Sequence, residues 1–182
     1  MPLNSVKDDF KKEEEIASLR RKELQRKIEK ASSYDDLFET VKRVVESEIG
    51  RHRAGLALVL TDMPNTIGAY HPVGSNSIVL NRALINALKS VIKNEREVNT
   101  FVFMVLMHEY LHSLGYLDEV DVRRRCYAIA KNALGADHIA PKMAIGNWLE
   151  MYPQLSMIIQ RLSPNSFERV DKFDSSSMSY IG

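Results

Sequence analysis

Between Phe101 and Gly115 the chain reads FVFMVLMHEYLHSLG, and no other stretch restricts its possible folds so tightly. Its first seven residues are apolar without interruption, so a helix through them has no face to give to solvent and must be buried all round. His108, Glu109 and His112 follow directly. Burying such groups without partners is expensive, and a bound metal ion compensates for that cost. Residues four apart share a helix face, so His108 and His112 can present their imidazoles to one ion. Phe101, Met104 and Val105 lie further up that face and would form a dry floor, while Glu109 points obliquely to the side.

The bulk properties fit such a core. A chain of 182 residues can enclose one domain with an appendage. Its net charge of +1 argues for neither a nucleic-acid footprint nor an acidic partner surface, and a nucleic-acid partner is not expected. Cys126 is the only cysteine, which excludes an intrachain disulfide and a four-thiolate zinc site. The first fourteen residues are mostly polar and charged, unlike a signal peptide, and the run Phe101–Met107 is too short to cross a bilayer. The expectation is a soluble, cytoplasmic protein without a membrane partner.

Taken in order, residues 1–32 read as a charged helical arm. Its apolar positions Phe10, Ile16, Leu19, Leu24 and Ile28 are too sparse for a heptad. It is expected to be a solvated helix lying across the domain, with a partner-binding or inhibitory arm as the alternative. Ser33-x-x-Asp36 resembles a capping box and opens a helix that stops at Gly50. Leu56–Thr61 reads as a buried strand. Ile67–His71 and Ser77–Leu80 read as a hairpin, and Asn81 as the cap of the next helix. Asn99 or Thr100 should cap the central helix, with Gly115 closing it. Asp118-x-x-Asp121 opens a helix ending at Gly135, and two further helical pieces are expected at Pro141–Met151 and Pro153–Leu162. Residues 163–182, rich in Ser, Asp and Asn, are expected to form an irregular tail. Residues 33–162 are then the metal-binding domain.

His108-Glu109-x-x-His112 is the zinc-hydrolase signature, in which a carboxylate beside the ion takes a proton from metal-bound water. One Zn2+ ion is therefore expected, with Glu109 as catalytic base. A catalytic zinc usually has three protein ligands, so one more must come from elsewhere. Asp118 is the first choice, because Gly115 lets the chain turn and a carboxylate three residues later can swing back. If Asp118 only caps the helix after it, Glu119 is next. His138 is weaker, since Asp137-His138 also reads as a helix start.

The string His108-Glu109-x-x-His112-x-x-Gly115-x-x-Asp118 resembles the extended metzincin motif with Asp replacing its last His, the form found in small secreted snapalysin-type proteases. A Glu119 ligand would instead resemble the gluzincins. The resemblance implies an α+β zincin-like domain, a small mixed sheet packed on several helices around a central buried metal-binding helix. It also implies a zinc-dependent metallopeptidase acting on a peptide or protein substrate, with an edge strand near Tyr70 and His71 pairing with that substrate. Ser177-Met178-Ser179-Tyr180 resembles the methionine turn of serralysins and astacins, but no helix follows it, which favours coincidence. Tyr110, Tyr116 and Arg123–Arg125 are candidates for oxyanion stabilisation.

A second resemblance is to bacterial rRNA-maturation metalloproteins, through His108-x-x-Leu111-His112-x-Leu114-Gly115-Tyr116 with Asp118 at the third ligand position. The chain departs from that family at Glu109, where it typically has Gly, and at Asp118, which replaces its last His. This implies the first alternative, a metal-dependent RNA-processing hydrolase. A non-catalytic zinc-binding scaffold or regulator is the second.

Overall fold

The computed structural model describes residues 3–158 and 167–174. Two helices come first, α1 (Leu3–Glu29) and α2 (Tyr34–Ile49), followed by strands β1 (Ala57–Thr61), β2 (Ala69–Tyr70) and β3 (Ser77–Asn81). Helices α3 (Arg82–Val91), α4 (Glu95–Ser113), α5 (Glu119–Leu134), α6 (Ile139–Ile145) and α7 (Trp148–Met151) complete the helical set. A 3-10 turn (Pro153–Met157) and strand β4 (Glu168–Val170) end the described chain. The architecture is mixed α/β with a small four-stranded mixed sheet of order β2-β3-β1-β4. β1 and β3 run parallel, pairing Ala57 with Ser77 through Thr61 with Asn81; β2 and β4 are antiparallel edge strands. Among the described residues, no helix is long and apolar enough to cross a membrane.

α4 is the axis of the molecule. It packs against α1, α2, α3, α5, α6 and the sheet, and Phe101, Val102, Phe103, Leu106, Met107, Tyr110 and Leu111 are all buried. An all-apolar helix demands neighbours on every side, and this one has them.

The local signals explain most boundaries. The Ser33 hydroxyl accepts from the Asp36 N–H at 3.1 Å, and the Asp36 carboxylate returns to the Ser32 N–H, also at 3.1 Å. Asn81 is wholly buried: its carbonyl oxygen caps α3 through the Leu84 N–H, and its amide donates to Met63, Pro64 and Ile67 carbonyls. One side chain thereby starts a helix and fixes the loop that leads into β2.

Three expectations are corrected. α4 begins a turn and a half earlier than the sequence suggests, because Asn94 caps it by accepting from the Arg96 N–H. Asn99 lies inside the helix and donates to the carbonyls of Ile28, Glu29 and Ala31, terminating α1 instead. Thr100 returns its hydroxyl to the Arg96 carbonyl. The helical piece expected at Pro141–Met151 starts at Ile139 and breaks at Gly146. There a Cβ would lie 2.7 Å from the Lys142 carbonyl oxygen, a distance only glycine tolerates.

The third correction concerns the C-terminal segment, where residues 168–174 are ordered. β4 pairs with β1, Phe173 stacks on Phe38 at 4.5 Å, and the buried Asp174 accepts from Lys42 Nζ and the Leu56 N–H. Alternation and composition did not suggest this strand, since its pairing partner lies more than a hundred residues away. The Ser177–Tyr180 stretch, with Met178, lies outside the described residues, as does the end of the helical piece expected at Pro153–Leu162.

The N-terminal helix divides in two. From Leu24 onward it belongs to the core, with Ile28 fully buried and Gln25 donating to the Leu134 carbonyl at 3.0 Å. Upstream, Ile16 and Leu19 are exposed.

Candidate metal centre

The last turn of α4 and the first residue of α5 build the site. Gly115 takes φ +95°, reversing the chain so that α5 returns beside α4. The Nε2 atoms of His108 and His112 lie 3.1 Å apart. The Glu119 carboxylate meets both, at 3.3 Å from His108 and 3.2 Å from His112. A tetrahedral zinc with bonds of about 2.0–2.2 Å holds neighbouring donor atoms roughly 3.3–3.5 Å apart. Two imidazoles and one carboxylate at these separations therefore fit that ion with adjustments of a few tenths of an ångström. Among the described residues they are the acidic, histidine and cysteine side chains that converge closely enough to share an ion.

The surroundings orient the imidazoles. His112 Nδ1 lies 2.7 Å from the Tyr116 carbonyl oxygen. A carbonyl can only accept, so Nδ1 donates and Nε2 is the ring nitrogen turned to the cluster. Burial holds His108 below the usual histidine range, against the attraction of Glu119.

Glu109 is 6% exposed and lines the same cavity as His108 and Glu119. Burial, reinforced by the nearby Glu119 charge, raises its carboxyl to about 8, while a hydrogen bond from the His71 backbone N–H pulls the other way. Such a group gives and takes protons near neutrality.

The structure does not bring Asp118, the expected third donor, into this group. Asp118 is the N-cap of α5, its carboxylate accepting from the Asp121 N–H at 2.7 Å, and it takes no part in the cluster. Glu119, one residue on, stands in that place. The reason is geometric: the cap residue turns its side chain back over its own helix, and the next residue projects toward α4. His138 is remote from the cluster in role, since it caps α6 through the Ala140 N–H.

The oxyanion candidates separate in the same way. The Tyr110 hydroxyl is buried, accepting from the Arg53 N–H and donating to the Arg53 carbonyl. The Tyr116 ring is approached by Arg51 at 5.3 Å and by Arg125 at 4.2 Å, and Arg125 pairs with Asp121. Arg123 lines the cavity, 3.8 Å from Glu119. His71 uses Nδ1 on the Ser77 carbonyl at 2.8 Å, so its backbone rather than its ring reaches the site. Tyr70 is half exposed on β2.

Two contributors escaped sequence reasoning. Arg53 donates to the Ser113 carbonyl at the end of α4 and to Ser75 O and Asn76 Oδ1 in the β2–β3 turn, each at 2.7 Å. Trp148 closes the cavity, donating to the Asn65 carbonyl and packing edge-on against Phe101 at 5.9 Å. Neither lies in a motif. The lone tryptophan was the only available signal for the second.

Compared with known proteins, the chain matches no protein-family model, no curated protein and no solved structure.

Proposed function

We propose that this chain is a zinc-dependent peptidase of zincin-like design, with His108, His112 and Glu119 holding one ion and Glu109 acting as general base and acid. The observation that carries the reading is the convergence of the His108, His112 and Glu119 donor atoms within 3.1–3.3 Å, beside the buried Glu109 carboxyl. An ion held by these residues would supply Lewis acidity, lowering the pKa of a bound water to about 7. Glu109 would accept the proton of the attacking water and return it to the leaving amine, a shuttle that a carboxylate beside the ion can perform. The nearby His71 backbone N–H favours the charged form of the carboxyl. β2, the edge strand beside the cavity, offers its outer backbone groups to an extended peptide. Arg123 is the cation available to a developing oxyanion.

Elemental analysis of purified protein is expected to find about one zinc per chain, and none in His112→Ala. Glu109→Gln should keep the metal and lose hydrolysis of denatured casein by several orders of magnitude. Metal content unchanged in His112→Ala would overturn the centre. Chelator-sensitive turnover of structured RNA but not casein would replace the peptidase by the RNA-processing alternative. Bound zinc without turnover of either substrate would leave a scaffold.

A further inference from the structure

The cavity beside Glu109 extends well past the catalytic groups. Its volume is about 210 Å3. Phe101, Met104 and Val105 of α4, Met143 and Ala144 of α6, and Trp148 of α7 form its walls. With a rise of about 1.5 Å per residue, Phe101 lies roughly 10 Å along α4 from His108. The cavity is thus a slot whose titratable groups, His108, Glu109, Glu119 and Arg123, belong to one end and whose other end is closed by the Phe101–Trp148 pair.

The loop entering β2 supplies the remaining wall, and Gly68 faces Trp148 and Val105 there. A methyl group there would meet Trp148 Cη2 at 3.5 Å and Val105 Cγ2 at 3.6 Å, which is ordinary contact. Alanine therefore fits at 68, whereas a longer side chain would occupy the slot.

We propose that this slot binds one bulky apolar side chain, leucine- or phenylalanine-like, of a peptide lying along β2. This rests on the peptidase reading of the neighbouring centre. Successive side chains of an extended peptide point to opposite sides, so a chain paired to the β2 edge turns alternate residues toward the slot. A charged side chain would lose its water at the Phe101–Trp148 end without gaining a partner. An alanine would leave most of the slot unfilled. Apolar pockets discriminate by roughly ten- to two-hundred-fold per group of this kind.

Trp148 is the only tryptophan of the chain, so its fluorescence reports occupancy without any need for catalysis. Full-length protein is titrated with the N-acetyl amides of alanine, leucine, phenylalanine and lysine. The leucine and phenylalanine amides should give a saturable change at concentrations at least ten-fold below those needed for alanine, and lysine should give none. Gly68→Leu should abolish the response and Gly68→Ala retain it. If Gly68→Leu does not fold, Ala144→Phe fills the slot from the α6 wall with the same expectation. Equal responses to all four amides, or a response that survives in the filled variant, would overturn the proposal. In parallel, peptides differing at one residue are tested for cleavage and should rank by kcat/KM in the same order. Selective Trp148 quenching without cleavage of any peptide sinks the peptidase reading and leaves the slot. Cleavage without ranking, together with an indifferent Trp148, does the reverse.

Discussion

At the residue scale, two adjacent carboxylates make different contacts. Asp118 and Glu119 differ by one methylene and one position, yet one caps a helix and the other faces two imidazoles. Their substitutions should therefore separate cleanly. Asp118→Ala is expected to lose about 0.5–2 kcal/mol of stability, the usual cost of removing an N-cap, with zinc affinity nearly unchanged. Glu119→Gln should keep its fold, because the side chain is 61% exposed, but weaken zinc binding. The loss should exceed the roughly 10–100-fold seen when outer partners are removed. Thermal unfolding paired with competition against a chromogenic chelator reads both effects. The reverse pattern would restore Asp118 as ligand.

At the element scale, the site depends on how the β2–β3 hairpin sits against the end of α4. Arg53 joins them: one guanidinium bridges the Ser113 carbonyl and the Ser75–Asn76 turn. A cation also suits the C-terminal end of a helix. The same hairpin brings the His71 amide to Glu109. Arg53→Met should cost about 1.5–3 kcal/mol, typical of a charge-assisted hydrogen bond. It should also speed hydrogen exchange at the His71 amide while the buried amides of α4 stay protected. Equal acceleration throughout α4 would mean that Arg53 supports the fold generally rather than the hairpin.

At the scale of the whole molecule, the C-terminal segment completes the core. Lys42 and Asp174 are both buried, and Asp174 also receives the Leu56 N–H that leads into β1. Burial acts to lower Lys42, but the bonds to Asp174 and Glu39 outweigh it and raise the amine above its usual value. Glu39 stays beside Lys42 when Asp174 is removed, but a buried pair is broken and the Leu56 N–H loses its acceptor, so Asp174→Ala should lose about 3–5 kcal/mol. The double variant Lys42→Met, Asp174→Leu should recover most of that loss. A raised amine contributes its stability fully below the unfolded pKa of about 10.4 and loses it as pH rises through the higher folded value. The denaturation gap between wild type and Asp174→Ala should then be constant through neutral pH and shrink only in strong alkali. A gap that closes near neutrality would contradict the pairing.

Local chemistry was legible where the interactions are local. The Ser33 and Asn81 caps, the β2–β3 hairpin and the placement of His108, Glu109 and His112 on one helical turn depend on residues a few positions apart. Periodicity and capping report such interactions directly. Tertiary structure decided everything that pairs distant segments. It made Asn99 the end of α1 rather than the start of α4, and it set β4 against β1. It also brought α7 over Gly68 to close the slot. The choice of Glu119 over Asp118 falls between these cases. Both carboxylates stand in the right stretch of sequence, but only the packing of α5 on α4 determines which of them points at the histidines.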